Sequence, residues 1–208
     1  MTIYKVLNGN KSTTGGYTWS LPVKNDDGTW TPGEWTTPVE GKLELCENGY
    51  HLCDGERQLV EWLGPDIYEA EYRGDRVDGD DKIVVRQAHL IRKVDAWNER
   101  TARLFACDCA EAVLHLHEEK YPGDDRPRMA IETARRYARG EATTKELAAA
   151  RDAAWDAAWA ATWAAARDAT WAATWDAARA AARDAARAAA WDAAWANQTK
   201  ILVGYLEE

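Results

Sequence analysis

The sequence predicts an α+β protein in which a small mixed, β-rich N-terminal domain precedes an all-α region rich in Ala and Trp. Strand-like alternation and most of the Gly and Pro lie before Asp95, whereas only two Pro lie beyond it, among long helical patterns. Ala and Trp then recur at a fixed spacing over 151–196. We therefore expect a domain at 1–95, a two-helix segment at 96–142 and a helical repeat region at 143–208.

The N-terminal domain is predicted to contain five strands and one short helix. Runs of alternating or β-branched residues between Gly, Asn and Asp turns mark the strands. These runs are Ile3–Leu7, Lys42–Cys46, Tyr50–Cys53, Asp66–Tyr72 and Ile83–Val94, the last being long enough for a central strand. Asp54 is placed to cap a helix over Glu56–Leu63, which Gly64 and Pro65 end.

Three helical segments are predicted to follow. The first spans Asn98–Glu119, where apolar residues recur on one broad face. Asp124 or Asp125 is placed to cap the second helix, which Gly140 ends. The sequence Thr143-Thr144-Lys145-Glu146 matches a capping box, in which the first and last side chains bind each other's backbone N–H groups. It therefore marks the start of the third helix.

The third segment contains a four-residue repeat. Residues 151–196 comprise 25 Ala, seven Trp, six Asp, five Arg and three Thr, and every fourth position from Arg151 to Trp195 is Trp or Arg. Because an α-helix turns 100° per residue, such a stripe advances by about 40° at each step. One flat partner surface therefore cannot bury all the Trp side chains of a straight helix.

Three arrangements would bury this stripe: partners on several sides, shorter helices that fold back, or self-association. We favour a folded-back bundle because Ala allows close helix packing, although no turn signal marks the break. Most of the Trp side chains are expected to be packed in a core. Members that stay exposed would be partner-binding anchors, since Trp and Arg dominate interface hot spots. The candidates are Trp171, Trp175, Arg179, Arg183 and Arg187.

Composition excludes several classes of function. The formal net charge is −9, which argues against nucleic acid and anionic membrane surfaces as partners, because both require clustered Lys and Arg. The longest uncharged part of the repeat, Ala157–Ala166, is about half of what a membrane-spanning helix needs. No signal peptide is visible, so we expect a cytoplasmic protein whose four Cys stay reduced.

Candidate catalytic and metal sites are few. Cys46, His51 and Cys53 have the spacing Cys-x4-His-x-Cys and could supply three zinc ligands, with His89 as a fourth, but no second paired ligand set exists. The sequence contains no phosphate-binding loop, no Gly-x-Ser-x-Gly elbow and no dinucleotide-binding glycine fingerprint. We therefore expect no bound metal, no cofactor and no enzymatic activity.

Several motifs resemble known families. The C-terminal part, about 96–208, resembles a family of small Ala-rich immunity proteins of bacteria and phages, through Ala106–Glu111, Tyr121–Arg128, Ala130–Glu132 and Ala138–Gly140. The part before it, about 1–95, resembles a phage-type domain of unknown function, through Cys46–Cys53 and Gly79–Val84. The first resemblance implies a non-enzymatic protein that binds and neutralises a toxin or a defence factor. It supplies no catalytic residues.

Three functional hypotheses remain open from the sequence. The first is a protein-binding immunity or inhibitor protein, whose acidic charge would suit a basic toxin or nuclease. The second is a structural or virion-associated phage protein that self-assembles through the Trp repeat into a homo-oligomer. The third is a small-ligand binder, with a nucleotide held in the N-terminal domain between Trp30, Trp35 and Trp62.

Overall fold

The structure, a computed structural model, describes the backbone of residues 1–157 and 177–207 and the side chains of residues 1–157 and 192–207. The chain divides into two compact units. The first contains Met1–Glu99 together with a C-terminal stretch that begins at Leu202, and the second contains Arg100–Ile201. A β-rich N-terminal part is followed by helices, which confirms the predicted α+β fold class.

The first unit contains seven strands and one short helix. They are β1 (Ile3–Asn8), β2 (Lys11–Ser12), β3 (Val23–Lys24), β4 (Trp30–Thr31), β5 (Tyr50–Asp54), α1 (Glu56–Leu59), β6 (Asp66–Asp78) and β7 (Ile83–Lys93). The predicted strands that begin at Ile3, Tyr50, Asp66 and Ile83 are confirmed. Strand β6 extends beyond the predicted end at Tyr72. The prediction was too short because most residues in the second half of the strand are exposed, so apolar and polar residues no longer alternate there.

Four of the strands close into a ring, β1–β5–β7–β6–β1, in which every neighbouring pair is antiparallel. Strand β1 pairs with β6 from Ile3 to Leu7, and it also pairs with β5 at Ile3 and Tyr4. The long hairpin of β6 and β7 bends at a register shift between Arg73 and Arg76. Gly74 permits this bulge, because its φ of +79° is one that other residues rarely adopt.

The core of the first unit lies on the inward face of this ring. Because side chains alternate along a strand, every second residue points inward, and Leu, Ile, Val, Ala and Tyr occupy these positions. Burying each large side chain contributes about 1.5–3 kcal/mol. The buried cluster consists of Leu7, Trp19, Leu52, Tyr68, Ala70, Ile83, Val85, Ala88 and Leu90, with Ile3, Tyr50 and Tyr72 packed against it.

The predicted strand at Lys42–Cys46 is wrong. This segment forms a turn in which Glu44 and Asn48 exchange backbone hydrogen bonds of 3.0 and 2.9 Å. The Asn48 side-chain amide also donates to the carbonyls of Glu40 and Lys42. Cys46 has a φ of +67°, a left-handed conformation that a regular strand excludes. Hydrogen bonds from the Asn48 side chain therefore hold this segment in a turn, whereas its apolar residues had suggested a strand.

The predicted helix at Glu56–Leu63 is shorter than expected. Helix α1 ends at Leu59, and Gly55, not Asp54, is its N-cap residue. Asp54 is the last residue of β5, where its carboxylate accepts a hydrogen bond from Arg76 of β6. A strand-to-strand ion pair therefore uses the side chain that the sequence had suggested as a helix cap.

The second unit is helical. Helices α2 (Glu99–Lys120) and α3 (Arg126–Ala138) lie within two residues of their predicted limits. Helix α4 covers 144–157 in the described part of the chain, and α5 (Ala177–Leu206) continues past this unit. The capping box is confirmed, because Glu146 accepts from the Thr143 N–H at 2.7 Å and its own N–H donates to Thr143 Oγ1 at 3.2 Å.

The Trp repeat begins in α4 and ends in α5. Trp171 and Trp175 lie outside the described residues, as does the segment where a fold-back would occur, so the folded-back bundle stays a prediction. Arg179, Arg183 and Arg187 lie on α5, but their side chains are outside the described part. Among the described residues, no helix combines the length and apolar character that crossing a bilayer would require.

The capping box gives a direct test of the start of α4. Replacing Thr143 by Ala removes the side-chain acceptor for the Glu146 N–H and should lower the free energy of unfolding by about 1 kcal/mol. Urea denaturation followed by helical circular dichroism measures this change. Thr144→Ala is the matched control, because Thr144 is exposed and makes no cap bond among the described residues. Equal losses in the two variants would contradict the assigned cap.

Candidate functional site

Ion pairs join α2 to α3 in the helical unit. Arg135 of α3 donates to Asp108 at 2.6 Å and also to Glu111, both on α2. Arg128 donates to Glu118 at 2.7 Å, near the other end of the same helix pair. The hydrogen bond from Arg135 lowers the pKa of Glu111, and the two carboxylates raise the pKa of Arg135. The two helices are therefore an antiparallel hairpin tied by charged side chains.

The connection between α2 and α3 is also held by charge. Arg126 donates through two nitrogens to the Asp124 carboxylate, at 2.7 Å in each case, and these bonds lower the pKa of Asp124 to about 2. His117 Nε2 lies 3.5 Å from the same carboxylate. Several residues that carry the resemblance to immunity proteins therefore stabilise this hairpin, and they do not form a separate site.

Among the described side chains of the helical unit, four large apolar ones are exposed, and we call them the exposed apolar set: Val113, Leu116, Met129 and Trp155. Val113 and Leu116 are three residues apart and therefore share one side of α2. Phe105 and Leu114 of the same helix are buried. The broad apolar face predicted for α2 is thus only partly used for the core.

Trp155 is the described part of the Trp repeat that bears most directly on binding. It lies on α4 and is 70% exposed. Trp195, near the other end of the repeat, is half-buried. The packing that was expected for most of the Trp side chains therefore does not extend to Trp155, a residue that the sequence did not single out as an anchor.

The Cys46, His51 and Cys53 cluster has a geometry of its own. The Cys46 N–H donates to His51 Nε2 at 2.8 Å, so that nitrogen's lone pair is already used. Burial raises the pKa of the Cys53 thiol to about 12, and burial also lowers the pKa of His51. Within the described residues, no group of three or more His, Cys, Asp or Glu side chains is arranged to hold a metal ion.

The three Trp residues predicted to hold a nucleotide have different surroundings. Trp35 is covered on two sides, because the His89 ring stacks on it at 3.8 Å and the Arg73 guanidinium lies 3.9 Å from its ring centre. Trp30 contacts Lys24 on the small sheet of β3 and β4. Of these three Trp residues, only Trp62 lines the pocket that is described in the next paragraph. The structure therefore does not form the predicted three-Trp site.

A pocket of about 360 Å³ lies within the first unit. We call it the Lys5 pocket and define it by Lys5, the aromatic residues Tyr17, Trp19, Tyr50 and Trp62, and Lys82. The ammonium of Lys5 donates to the His51 carbonyl at 2.9 Å and lies 5.2 Å from the Trp19 ring centre. Sequence reasoning missed this pocket, because its residues are spread from β1 to the start of β7.

Burial changes the chemistry of Lys5. Its side chain occupies an inward position on β1, and burial lowers its pKa from 10.5 to about 8. A lysine in water stays protonated at pH 8, whereas here a substantial fraction of the amine is neutral. The charged form is therefore destabilised in the folded protein, because the described residues around Lys5 displace water and none of them forms an ion pair with it.

A second cavity in the first unit, of about 500 Å³, differs from the Lys5 pocket in its charge pairing. Tyr4 donates to Glu56 at 2.8 Å, and Arg92 donates to Glu69. Arg92, the cation that lines this cavity, is therefore already paired with a carboxylate, unlike Lys5.

Thiol labelling should separate Cys46 from Cys53. Iodoacetamide reacts with the thiolate, so at pH 8 exposed Cys46 should be alkylated in the native protein, whereas buried Cys53, with its pKa of about 12, should stay unmodified until the chain is unfolded. Peptide mass spectrometry measures both sites. Native labelling of Cys53 as fast as that of Cys46 would contradict the described burial.

The pKa of Lys5 gives a pH-dependent prediction. Between about pH 8 and 10.5 the unfolded chain binds more protons at Lys5 than the folded chain, so the contribution of Lys5 to stability rises with pH by roughly 1.4 kcal/mol per unit at most. The difference in unfolding free energy between wild type and Lys5→Met should therefore move in favour of wild type from pH 8 to 10. Urea titrations at each pH measure it, and the subtraction removes the opposite contribution of Cys53. A constant difference would contradict the assignment.

Comparison with known proteins places both parts of the chain in described families. The family model for Imm-5 like putative immunity protein matches residues 92–199, which is slightly more than half of the chain. The model for a domain of unknown function, DUF7666, matches residues 1–102. No curated protein and no solved structure matches the chain. The family match covers the helices whose ion-paired hairpin and exposed apolar set are described above, and the chain belongs to the Imm-5 like putative immunity protein family.

Proposed function

We propose that this protein binds a protein toxin or defence factor through its helical region and thereby neutralises it. Membership of an immunity-protein family supports an immunity-type role and a protein partner in general. The observation that carries the proposal further is Trp155, a large aromatic side chain that is 70% exposed within the part of the chain that matches the family.

An exposed Trp on a helix has an energetic consequence. Burying one Trp removes roughly 150–250 Å² from water, at about 25 cal/mol per Å², so contact with a partner would gain several kcal/mol before the losses on association. Trp is also among the residue types that contribute most to interface affinity. The other members of the exposed apolar set, Val113, Leu116 and Met129, provide further apolar area on the same unit.

The remaining anchors of the proposed interface follow the repeat. Counting in steps of four from Trp155 leads through the stripe to Trp171, Trp175, Arg179, Arg183 and Arg187. A helix that continues from α4 would turn this stripe about its axis, so one partner would contact only a part of it. We propose these five residues as further anchors of the repeat, with a single partner contacting the part of the stripe that faces it.

Charge favours a basic partner. The chain carries a formal net charge of −9, and opposite potentials accelerate encounter and disfavour wrong partners. A basic toxin or nuclease fits this requirement. The association rate with such a partner should fall as salt rises, since ions screen charges separated by more than about 10 Å at 0.1 M salt.

The test begins with capture of the partner by the tagged full-length chain from a lysate of the host cell. Binding of the purified partner is then measured by calorimetry. Trp155→Ala should weaken binding by about 30-fold, corresponding to a hot-spot loss of about 2 kcal/mol. Trp30→Ala is the matched control, because Trp30 is a partly exposed Trp outside the residues that match the immunity family.

Two results would contradict the proposal. One is equal affinity of the Trp155→Ala and Trp30→Ala variants for the captured protein. The other is capture of untagged copies of this chain alone, with a mass by light scattering that grows with concentration, which would favour self-assembly instead of inhibition.

A further inference from the structure

We propose that the Lys5 pocket binds a small aromatic anion, a molecule that joins an aromatic ring to a phosphate or carboxylate group. The site lies within the first unit and does not depend on the proposed immunity function. Three features of the pocket carry this inference: an uncompensated lysine, a wall of aromatic rings and a volume that suits a small organic molecule.

Lys5 occupies a position where an apolar residue would be expected. Ile3, Lys5 and Leu7 share one face of β1, because side chains alternate along a strand, and both Ile3 and Leu7 pack in the core. Lys5 also lies opposite Tyr68 of β6, another core residue. A lysine at such a position costs stability unless its charge is compensated.

The Lys5 ammonium uses only one of its three hydrogen-bond donors within the described residues. An ammonium has three N–H donors, and within the described residues only the His51 carbonyl accepts from Lys5. No carboxylate among these residues lies within ion-pair distance of its ammonium. Two donors therefore remain for an acceptor that the pocket itself does not supply.

The strand pairing explains why the pocket opens at this point. Strands β1 and β5 pair at Ile3 with Asp54 and at Tyr4 with Cys53, and the pairing of these two strands ends there. The next residues of β1 and β5 are not paired with each other, and the Lys5 ammonium donates to the His51 carbonyl of β5. Residues of both strands beyond the paired positions, Lys5 and Val6 on β1 and His51 and Leu52 on β5, line the pocket.

Aromatic rings form the apolar wall of the pocket. Tyr17, Trp19 and Tyr50 contact one another edge to face, with ring centres 5.1–5.7 Å apart. Trp19 is anchored by its Nε1–H, which donates to Ser12 Oγ at 2.9 Å, whereas Tyr17 is 41% exposed. This arrangement presents a fixed aromatic surface next to the Lys5 ammonium, and aromatic ligands pack well on such surfaces.

The other charged groups of the pocket place the anion at Lys5. Lys82 pairs with Asp81 at 3.2 Å and lies over the Trp62 ring, so its charge is already compensated. Glu47 also lines the pocket and would repel an anion placed beside it. The volume of about 360 Å³ lies within the range of small-ligand sites. The lowered pKa of Lys5 agrees with a cation that lacks its counter-ion in the unliganded protein.

The experiment uses the full-length chain and isothermal titration calorimetry. Phenyl phosphate and indole-3-acetate are the two aromatic anions, which separate phosphate from carboxylate recognition. Phenol and inorganic phosphate test the ring and the anion alone. The variants are Lys5→Met, which removes the cation, and Tyr17→Ala, which removes an exposed ring. Lys11→Met is the matched control, because Lys11 is an exposed lysine on neighbouring β2.

We expect at least one aromatic anion to bind wild type with a Kd below about 1 mM. Lys5→Met should weaken it tenfold or more, since hydrogen bonds to charged groups contribute strongly, and Lys11→Met should leave it unchanged. Tyr17→Ala should also weaken binding, and it decides the result if Lys5→Met fails to fold by circular dichroism. Absence of binding by both aromatic anions, equal binding to Lys5→Met, or inorganic phosphate binding as tightly as phenyl phosphate would overturn the proposal.

Discussion

Strand β1 hydrogen-bonds to both β5 and β6, besides its short pairing with β2, and the N-terminal fold depends on the double pairing with β5 and β6. Its contact with β6 from Ile3 to Leu7 and its short contact with β5 close the ring, which leaves no long exposed edge between these strands. Closure turns Leu7 and its neighbours into a shared core. The same constraint brings Lys5 inward and leaves a gap where β1 and β5 separate.

Local signals in the sequence predict most of the strands and helices, but they do not predict that four strands close into a ring. Alternation marked β6, strand-like runs between turn signals marked β1, β5 and β7, and the capping box marked the start of α4, because these patterns depend on neighbouring residues. The ring depends on pairings between strands far apart in the chain, and no local pattern encodes them. The turn at Lys42–Cys46 was missed because the Asn48 amide, acting through backbone carbonyls, outweighs the apolar run.

In the helical unit, the residues that stabilise the fold differ from the exposed residues that are available for binding. Arg135, Arg128 and Arg126 are ion-paired with carboxylates on α2 or in the connection, and they belong to or pair with the motifs that resemble immunity proteins. The sequence motifs therefore indicate the hairpin and not its binding surface. Exposure identifies the better candidates, such as Trp155 and Leu116. Periodicity alone could not distinguish these side chains from core positions, since both lie on apolar helix faces.

The proposed function requires that this chain neutralise a harmful protein partner. The most direct measurement is growth of cells that produce the captured partner, alone and with increasing amounts of the full-length chain. We expect the partner to arrest growth and the chain to restore it once the two proteins are present in equal amounts. A partner that is harmless when produced alone, or growth arrest that persists with the chain in excess, would contradict the claim.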